Sequence, residues 1–358
     1  MAQSKRLRKL IYVLQDKASL IGATLSIRRH VSSVAVPVLR ATTHSLSTPP
    51  SEARIAAVLS IGHGSYLLPR ACINALMDRL HHTHSATVAL KCLFTLHNVI
   101  IRGPFALRDQ LSCYPSYGGH NFLNLSTFRD DSEMESLELS SWVRWYAGVL
   151  EQSLSVSRVL GYYLSSSSIQ NFKNYKKGVE ETRRTHLGLS NSDLLYKIEG
   201  LVGYVEQISR VPDSLYLQKN ELVYEVVRLV GEDYRCVQYE IFSRIEELGN
   251  RMENFDVAEL SELLGYLKRM NESKERLLLL FVNRKKNDEF WDLIDQAKIK
   301  AAIAKEEIQG KWLLVTKPRR DESTGSTQYK NPFLEPGQLI PVPHADTSRF
   351  LLTVPTVG

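Results

Sequence analysis

Apolar residues recur at every third or fourth position along most of the chain, the spacing that places them on one face of an α-helix. The first such face runs through Leu10, Leu14 and Ile21 and is interrupted near Ser32 and Ser33. Further helices are predicted at 55–61, 71–80, 86–101, 137–164, 190–212, 221–248, 257–282 and 288–308. We find no alternating strand pattern of useful length. The sequence therefore predicts an all-α fold, a stack of antiparallel helices joined by short turns.

The composition changes after residue 310. Residues 311–358 are rich in Pro, Ser, Thr and Gly and show little helical periodicity, which is typical of a flexible tail. We therefore expect one helical domain at 1–310, with longer helices at 190–310, and a short appended tail.

Positive charge is concentrated at the start of the chain. Residues 1–40 contain eight Lys and Arg residues and a single acid, Asp16, and so carry a net charge of +7, whereas the whole chain carries +6. A cationic start on a nearly neutral body suggests an anionic partner, either lipid headgroups or nucleic acid. A solvated charged face is the simpler alternative. The longest purely apolar run, Leu277 to Val282, is far shorter than the roughly 20 residues that cross a bilayer, so we expect membrane contact to be peripheral.

Signatures of catalysis and of metal binding are missing from the sequence. His81, His82 and His84 have no Cys or carboxylate at ligand spacing, so polar residues that close a helix explain them better than a metal site. The four cysteines lie far apart, without a CxxC pair, and are expected to be reduced thiols in the cytoplasm. We expect a protein that is not an enzyme and has no cofactor and no metal.

The stretch RATTHSLSTPPSEAR, from Arg40 to Arg54, joins two helices and brings together a cation, hydroxyls and an imidazole. Free N–H groups at a helix start, flanked by Arg and His, favour phosphate. Alternatively, Thr42, Thr43 and His44 close a helix and hydrogen-bond the loop, which is the better account for Thr43. For Arg40 and His44 both interpretations stay open.

Arg40–His44, Ala89–His97, and Asn124–Asp130 together with Ser141–Leu150 are three segments with recognisable motifs. Together they resemble the ANTH domain, the phosphoinositide-binding domain of clathrin assembly proteins. Arg40–His44 resembles the family's Lys-Ala-Thr-Thr-His, and Ala89–His97 resembles its A-L-K-x-L-x-x-x-H helix. The third likeness combines Asn124–Asp130 with Ser141–Leu150, and a looser similarity extends to about Gln309. The details favour the plant group of these proteins. The resemblance implies a right-handed superhelix of α-helices whose lipid-facing part is 1–165.

The family binds the inositol bisphosphate headgroup through Lys, nine residues, Lys, one residue, Lys or Arg, then His or Tyr. Here Arg40 takes the first position, but Pro50, Glu52 and Ala53 occupy the other three, and Glu52 is expected to repel phosphate. Arg54 follows one residue late. Compensating cations are available in the first helix, where each exposed cation contributes about 1 kcal/mol near an anionic leaflet. The candidate lipid-binding residues are Lys5, Arg6, Arg8, Lys9, Arg40, His44 and Arg54.

Two short motifs match peptides that coat proteins recognise. Asn331, Pro332 and Phe333 in the tail form the tripeptide that EH domains bind, and are candidate EH-domain-binding residues. Asp193-Leu194-Leu195 matches a clathrin or adaptor motif in letters, but its leucines fit the buried face of a helix.

These features lead to one functional hypothesis. We expect a cytoplasmic adaptor, peripheral on phosphoinositide-containing membrane, that acts at clathrin-coated pits and vesicles, with the Golgi as a second candidate compartment. The resemblance implies clathrin and adaptor proteins as partners, with SNAREs and EH-domain proteins as further candidates. We expect no nucleic acid, because the basic N-terminus lacks the interleaved aromatics or the recognition helix that nucleic-acid binding usually brings. The alternative is a helical scaffold that binds only protein partners because its lipid site has decayed.

Overall fold

A computed structural model of the chain describes residues 2–25, 29–45, 47–64, 67–112, 122–164, 188–213, 220–281 and 284–315. These residues form helices and connecting turns, and no strand occurs among them. Residues Met1–Leu313 group into one compact unit. The second unit, Leu314–Gly358, lies outside the described residues apart from the end of the last helix. The prediction of an all-α fold is confirmed.

The described residues contain eleven α-helices and two short 3₁₀ turns, at Ser60–His63 and Met252–Asn254. The α-helices are α1 (Ala2–Thr24), α2 (Arg29–Ala41), α3 (Glu52–Leu59), α4 (Leu67–His82), α5 (Ala86–Arg102), α6 (Phe105–Ser112), α7 (Met134–Leu160), α8 (Asn191–Ser209), α9 (Glu221–Arg251), α10 (Val257–Leu280) and α11 (Arg284–Val315).

The start of the chain differs from its sequence prediction. The first helix ends at Thr24, and Ser32 and Ser33 lie inside α2 rather than at a break. Two adjacent serines are weak helix formers, but the apolar residues around them supply a buried face, with Val34 and Val38 only 3% and 2% exposed. Helix α6 was also not predicted, because its eight residues bury only Leu107 and Leu111.

Helix α5 occupies the centre of the fold. Every residue from Ala86 to Ile101 is buried, and the helix packs against α2, α3, α4, α6, α7 and α9. The second half of the chain continues the packing, with α8 between α7 and α10 and in contact with α9. A helix that is covered on all sides must satisfy its polar side chains internally.

His97 shows how α5 satisfies its buried polar groups. Its Nε2 lies 2.9 Å from Asp233 Oδ2 of α9, and its Nδ1 lies 2.8 Å from the Tyr146 hydroxyl of α7. The Tyr204 hydroxyl of α8 donates to the same Asp233 oxygen at 2.6 Å. Burial, reinforced by the Asp233 charge, raises the pKa of Tyr146 and of Tyr204, so both hydroxyls keep their protons. This network ties four helices together.

The start of α8 matches the capping residue predicted from the sequence. Ser190 accepts a hydrogen bond from Asp193 N and forms a capping box at the start of α8. Leu194 and Leu195 are buried, at 0% and 1% exposure, so both leucines of the Asp193-Leu194-Leu195 sequence belong to the core, as predicted, while Asp193 is exposed.

Candidate functional site at the α2–α3 junction

The C-terminus of α2 is closed by Thr42 and by an arginine from α4. The Thr42 hydroxyl donates to Val38 O at 2.7 Å, which makes an ordinary helix-closing contact. Arg79 donates from Nη2 to Thr42 O at 2.7 Å and from Nε to Thr42 Oγ1 at 2.6 Å. Thr42 is completely buried, so it stabilises the junction and is not available to a ligand.

His44 is held by the first helix. Its backbone N–H donates to Asp16 Oδ2 at 3.0 Å, and its Nδ1 lies 2.6 Å from Asp16 Oδ1. Its ring also stacks on Tyr12, with 5.2 Å between ring centroids. The imidazole therefore has an anionic partner inside the protein. Asp16, the single acid among the first 40 residues, fastens α1 to the junction.

Lys91 of α5 holds the turn that follows Thr42. Its ammonium donates to the carbonyl oxygens of Thr43 and Ser45, at 3.0 and 2.7 Å. The two hydroxyl oxygens of the same residues lie 3.3 and 2.6 Å away. Burial lowers the pKa of Lys91 to about 8, the Asp16 carboxylate acts in the opposite direction, and Arg54 lowers it further. Lys91 thus organises the turn from beneath, because it is only 1% exposed.

Two candidate cations of the junction face solvent. Arg40, in the last turn of α2, and Arg54, in the first turn of α3, are both exposed. Neither makes a hydrogen bond or an ion pair within the part of the chain that the structure describes. Both guanidinium groups are therefore available to an anion. Pro50, which occupies a family ligand position, is buried and cannot replace them.

Glu52 does not present a free negative charge. Arg102, the last residue of α5, donates from Nη2 to Glu52 Oε2 at 2.8 Å and from Nη1 to Glu52 Oε1. The hydrogen bond from Arg102 is the main cause that lowers the pKa of Glu52, with burial opposing it and the charges of Arg102 and Arg228 adding to it. The expected repulsion between Glu52 and phosphate is therefore offset by a cation that the family pattern does not include.

The other candidate residues are only partly described. Lys5, Arg6, Arg8 and Lys9 lie within α1, and their side chains fall outside the described residues. The tail motif, Asn331, Pro332 and Phe333, also lies outside them, as does the basic segment 171–186. What the structure adds for α1 is an exposed apolar face: Leu7, Leu10 and Leu14 are 62%, 61% and 64% exposed.

The histidines near the end of α4 have protein partners. His81 Nε2 lies 3.0 Å from Leu123 O, and His82 Nδ1 lies 2.7 Å from Asp78 O. Across the described ranges, no group of three or more His, Cys, Asp or Glu side chains could hold a metal ion. No helix in these ranges is both long and apolar enough to cross a membrane.

Comparison with known proteins decides the family. The model of the ANTH domain matches residues 33–286, which includes the α2–α3 junction and α5. The chain belongs to the ANTH domain family. Three relatives from Arabidopsis thaliana carry the name "putative clathrin assembly protein". One is 40% identical over 295 residues, which covers 81% of this chain and 79% of the relative. The others are 30% identical over 300 residues (81% and 84%) and 29% identical over 306 residues (82% and 99%).

Four residues shape the junction but were not among the sequence candidates: Asp16, Arg79, Lys91 and Arg102. Lys91 lay in the quoted Ala89–His97 segment, where only its likeness to the family was used. Asp16 and Arg102 carry no motif at all, and each acts on a residue 28 or 50 positions away. Sequence spacing cannot reveal such pairs, because packing of separate helices brings them together.

Proposed function

We propose that this ANTH protein is an adaptor that binds phosphoinositide-containing membrane at its surface and promotes clathrin coat assembly, without catalysing a reaction. The family and the names of its relatives support the coat role. The membrane role rests on one observation, the exposed apolar face of α1, a helix whose sequence also carries four cations in its first turns.

The exposed apolar residues of α1 follow helical spacing. Leu7, Leu10, Leu14 and Ile21 recur at intervals of three, four and seven, and each is more than half exposed. The sequence of the first turns of this helix carries Lys5, Arg6, Arg8 and Lys9, and no acid occurs in its first turn. A helix with an apolar face and Lys or Arg beside it lies in the plane of a membrane interface, where the cations reach anionic headgroups.

The α2–α3 junction supplies a second contact with the headgroup in this proposal. Arg40 and Arg54 are exposed at its two ends, while His44, Lys91 and Arg79 hold the loop between them in shape. Because Asp16 joins His44 to α1, the interfacial helix and the headgroup loop are mechanically connected. In this proposal, membrane contact by α1 brings the attached junction towards the same leaflet.

Coat partners follow from the family rather than from a contact in the structure. We propose clathrin and adaptor proteins as partners, EH-domain proteins as ligands of Asn331-Pro332-Phe333, and SNAREs as a further cargo class. Coated pits and vesicles are the proposed location, with the Golgi as a second compartment.

A scaffold that binds protein partners only is the second candidate function. Pro50, Glu52 and Ala53 at three headgroup positions favour it, and so does the engagement of His44 by Asp16. The two functions differ in whether the purified chain binds lipid.

Sedimentation of the full chain with vesicles separates the two functions. Replacement of Lys5, Arg6, Arg8 and Lys9 by Ala should reduce binding to phosphatidylserine vesicles by more than tenfold, since each cation contributes about 1 kcal/mol near an anionic leaflet. Arg40→Ala is the matched control, and it should reduce binding by about fivefold, the same contribution from one charge. Equal losses from both variants would assign binding to the junction instead. Failure of the unmodified chain to sediment would support the scaffold.

A further inference from the structure

The contact between Glu52 and Arg102 joins the first turn of α3 to the end of α5. Two guanidinium N–H groups meet the two carboxylate oxygens, so the pair is bidentate. It lies at the surface, with the Arg102 side chain 42% exposed and the Glu52 side chain 72% exposed. Solvent screens such a pair, and exposed ion pairs contribute little to folding stability. Loss of the contact between Glu52 and Arg102 should therefore cost the fold little stability, so another anion can take the place of Glu52.

Arg102 is oriented by a buried partner. Its Nε donates to Asn98 Oδ1 at 2.9 Å, and the Asn98 amide donates to Phe94 O at 2.8 Å. Asn98 is only 3% exposed. This anchor fixes one edge of the guanidinium and leaves Nη1 and Nη2 directed at Glu52. An arginine fork that is fixed in this way suits a phosphate as well as a carboxylate, because both present two oxygens at similar spacing.

The position of Glu52 gives this pair its functional meaning. Glu52 occupies the third headgroup position of the family pattern, where a Lys or Arg is expected. The chain has placed an acid there, and it has also placed an arginine from another helix against that acid. Arg54, two residues later, adds an exposed cation to the same turn. The guanidinium of Arg102 thus supplies positive charge at the headgroup position, but the carboxylate of Glu52 is bound to it.

We propose that Arg102 is a phosphate-binding residue of this site, and that Glu52 is an internal competitor which occupies its guanidinium until an inositol phosphomonoester displaces it. This inference rests on the proposed membrane function and names the residue that replaces a missing ligand. A phosphomonoester carries up to two negative charges near neutral pH and so competes well with one carboxylate. Glu52 is mostly exposed, so its side chain can turn into solvent when phosphate takes its place.

Removal of the competitor should strengthen binding through Arg102. Glu52→Gln should bind vesicles containing phosphatidylinositol bisphosphate about threefold to tenfold more tightly than the unmodified chain, as expected for one exposed charge-assisted contact. Adding Arg102→Gln to Glu52→Gln should abolish that gain. Phosphatidylserine vesicles of matched charge should show a smaller gain. Calorimetry with soluble inositol trisphosphate runs in parallel, and circular dichroism checks that each variant keeps its helix content.

Arg228→Gln in the Glu52→Gln background is the control for long-range charge. Arg228 acts on Glu52 through its field, but its guanidinium is bound to Glu225 and Glu232. It should change binding by less than about twofold, within the range of a screened surface charge. If Arg102→Gln has no larger effect than Arg228→Gln, Arg102 only neutralises Glu52 and the inference is wrong.

The two ligand sources and the two levels of proposal give different results. A gain with vesicles and with the soluble ligand supports a headgroup contact, whereas a gain with the soluble ligand alone supports the Arg102 contact and assigns it to free inositol phosphates. If the unmodified chain ignores all anionic vesicles, the proposed membrane function fails. In that case an Arg102-dependent gain in Glu52→Gln still supports the site, and no gain overturns it.

Discussion

Lys91 combines complete burial with a positive charge, and its surroundings explain how the fold tolerates this. Two carbonyl oxygens and two hydroxyl oxygens of Thr43 and Ser45 surround the ammonium, which has three N–H donors. These contacts compensate part of the cost of removing the charge from water. The remaining cost appears in the pKa of Lys91, which burial lowers to about 8. The residue therefore supports the shape of the loop while it disfavours folding electrostatically.

This balance predicts a pH dependence of stability. The unfolded chain binds the Lys91 proton up to its ordinary pKa of 10.5, whereas the folded chain releases it near 8. Between these values the unfolded state holds more protons, so the contribution of Lys91 to the free energy of unfolding rises with pH. This contribution is present above pH 10.5 and is lost as the pH falls to about 8. Relative to Lys91→Met, the unmodified chain should gain about 2 to 3 kcal/mol of stability between pH 7 and pH 10.5.

Urea denaturation at a series of pH values measures this difference. The comparison with Lys91→Met matters because the contributions of all other titrating groups cancel. Parallel pH profiles of the two proteins would show that the Lys91 ammonium is as stable in the fold as in water.

At the scale of elements, α1 differs from every helix in the core. Its apolar residues Leu7, Leu10 and Leu14 face solvent, whereas α5 exposes only Arg102. The helix packs against α2, and Asp16 and Tyr12 attach it to His44. The apolar face of α1 contributes little hydrophobic stabilisation to the fold because it stays in contact with water. Exposed apolar surface of this kind marks a site of contact with another protein or with a membrane.

Negative charge introduced on this face should separate membrane binding from folding. In the double variant Leu10→Glu and Leu14→Glu, vesicle binding should fall by more than tenfold, since each leucine that enters the interface is worth about 1.5 kcal/mol or more. The free energy of unfolding should change by less than about 0.5 kcal/mol, as is usual for surface substitutions. Vesicle sedimentation and urea denaturation measure the two effects.

Leu279→Glu is the matched control for apolar exposure. Leu279, at the end of α10, is 82% exposed but belongs to a different helix, so its replacement should leave vesicle binding unchanged. A comparable loss from Leu279→Glu would mean that membrane contact is spread over the protein rather than localised to α1.

At the scale of the whole molecule, α5 and α9 hold the α2–α3 loop from several sides. Lys91 binds its beginning, Arg102 binds Glu52 at its end, and the Leu222 N–H of α9 donates to Ser47 O between them at 3.0 Å. The loop is therefore positioned by distant parts of the chain. Coat recruitment is proposed to use another segment, the tail motif at 331–333.

Recognition by an EH domain should depend on Phe333 of the tail motif and not on other aromatic residues of the tail. An Asn-Pro turn presents the following side chain to a pocket, so Phe333→Ala should remove binding of purified EH domains to the full chain. Surface plasmon resonance measures the affinity, and Phe350→Ala, in the same tail, is the matched control. Unchanged binding by Phe333→Ala would show that the tripeptide is a chance match.

The sequence alone determined the fold class and the family. Helical periodicity depends on residues three or four positions apart, so α4, α5, α7, α8, α9 and α10 were predictable from local pattern. The start of α8 was predictable from its cap, and the burial of Leu194 and Leu195 from their place in the apolar repeat. Local pattern was weaker for α2 and α6, where two serines and a short length obscured the signal.

Tertiary structure decided the chemistry of the junction. From the sequence, Glu52 was expected to repel phosphate. In the structure, packing of α5 against α3 brings Arg102 to Glu52, and the two form an ion pair. His44 was open to two interpretations, and Asp16 of α1 supplies its partner. Lys91 lies in a family motif to which the sequence assigned no role for it, and helix packing brings its ammonium to the carbonyl oxygens of the loop. The physical reason is the same for all three: the charge at a site is the sum over every helix that reaches it, and a linear sequence does not contain those distances.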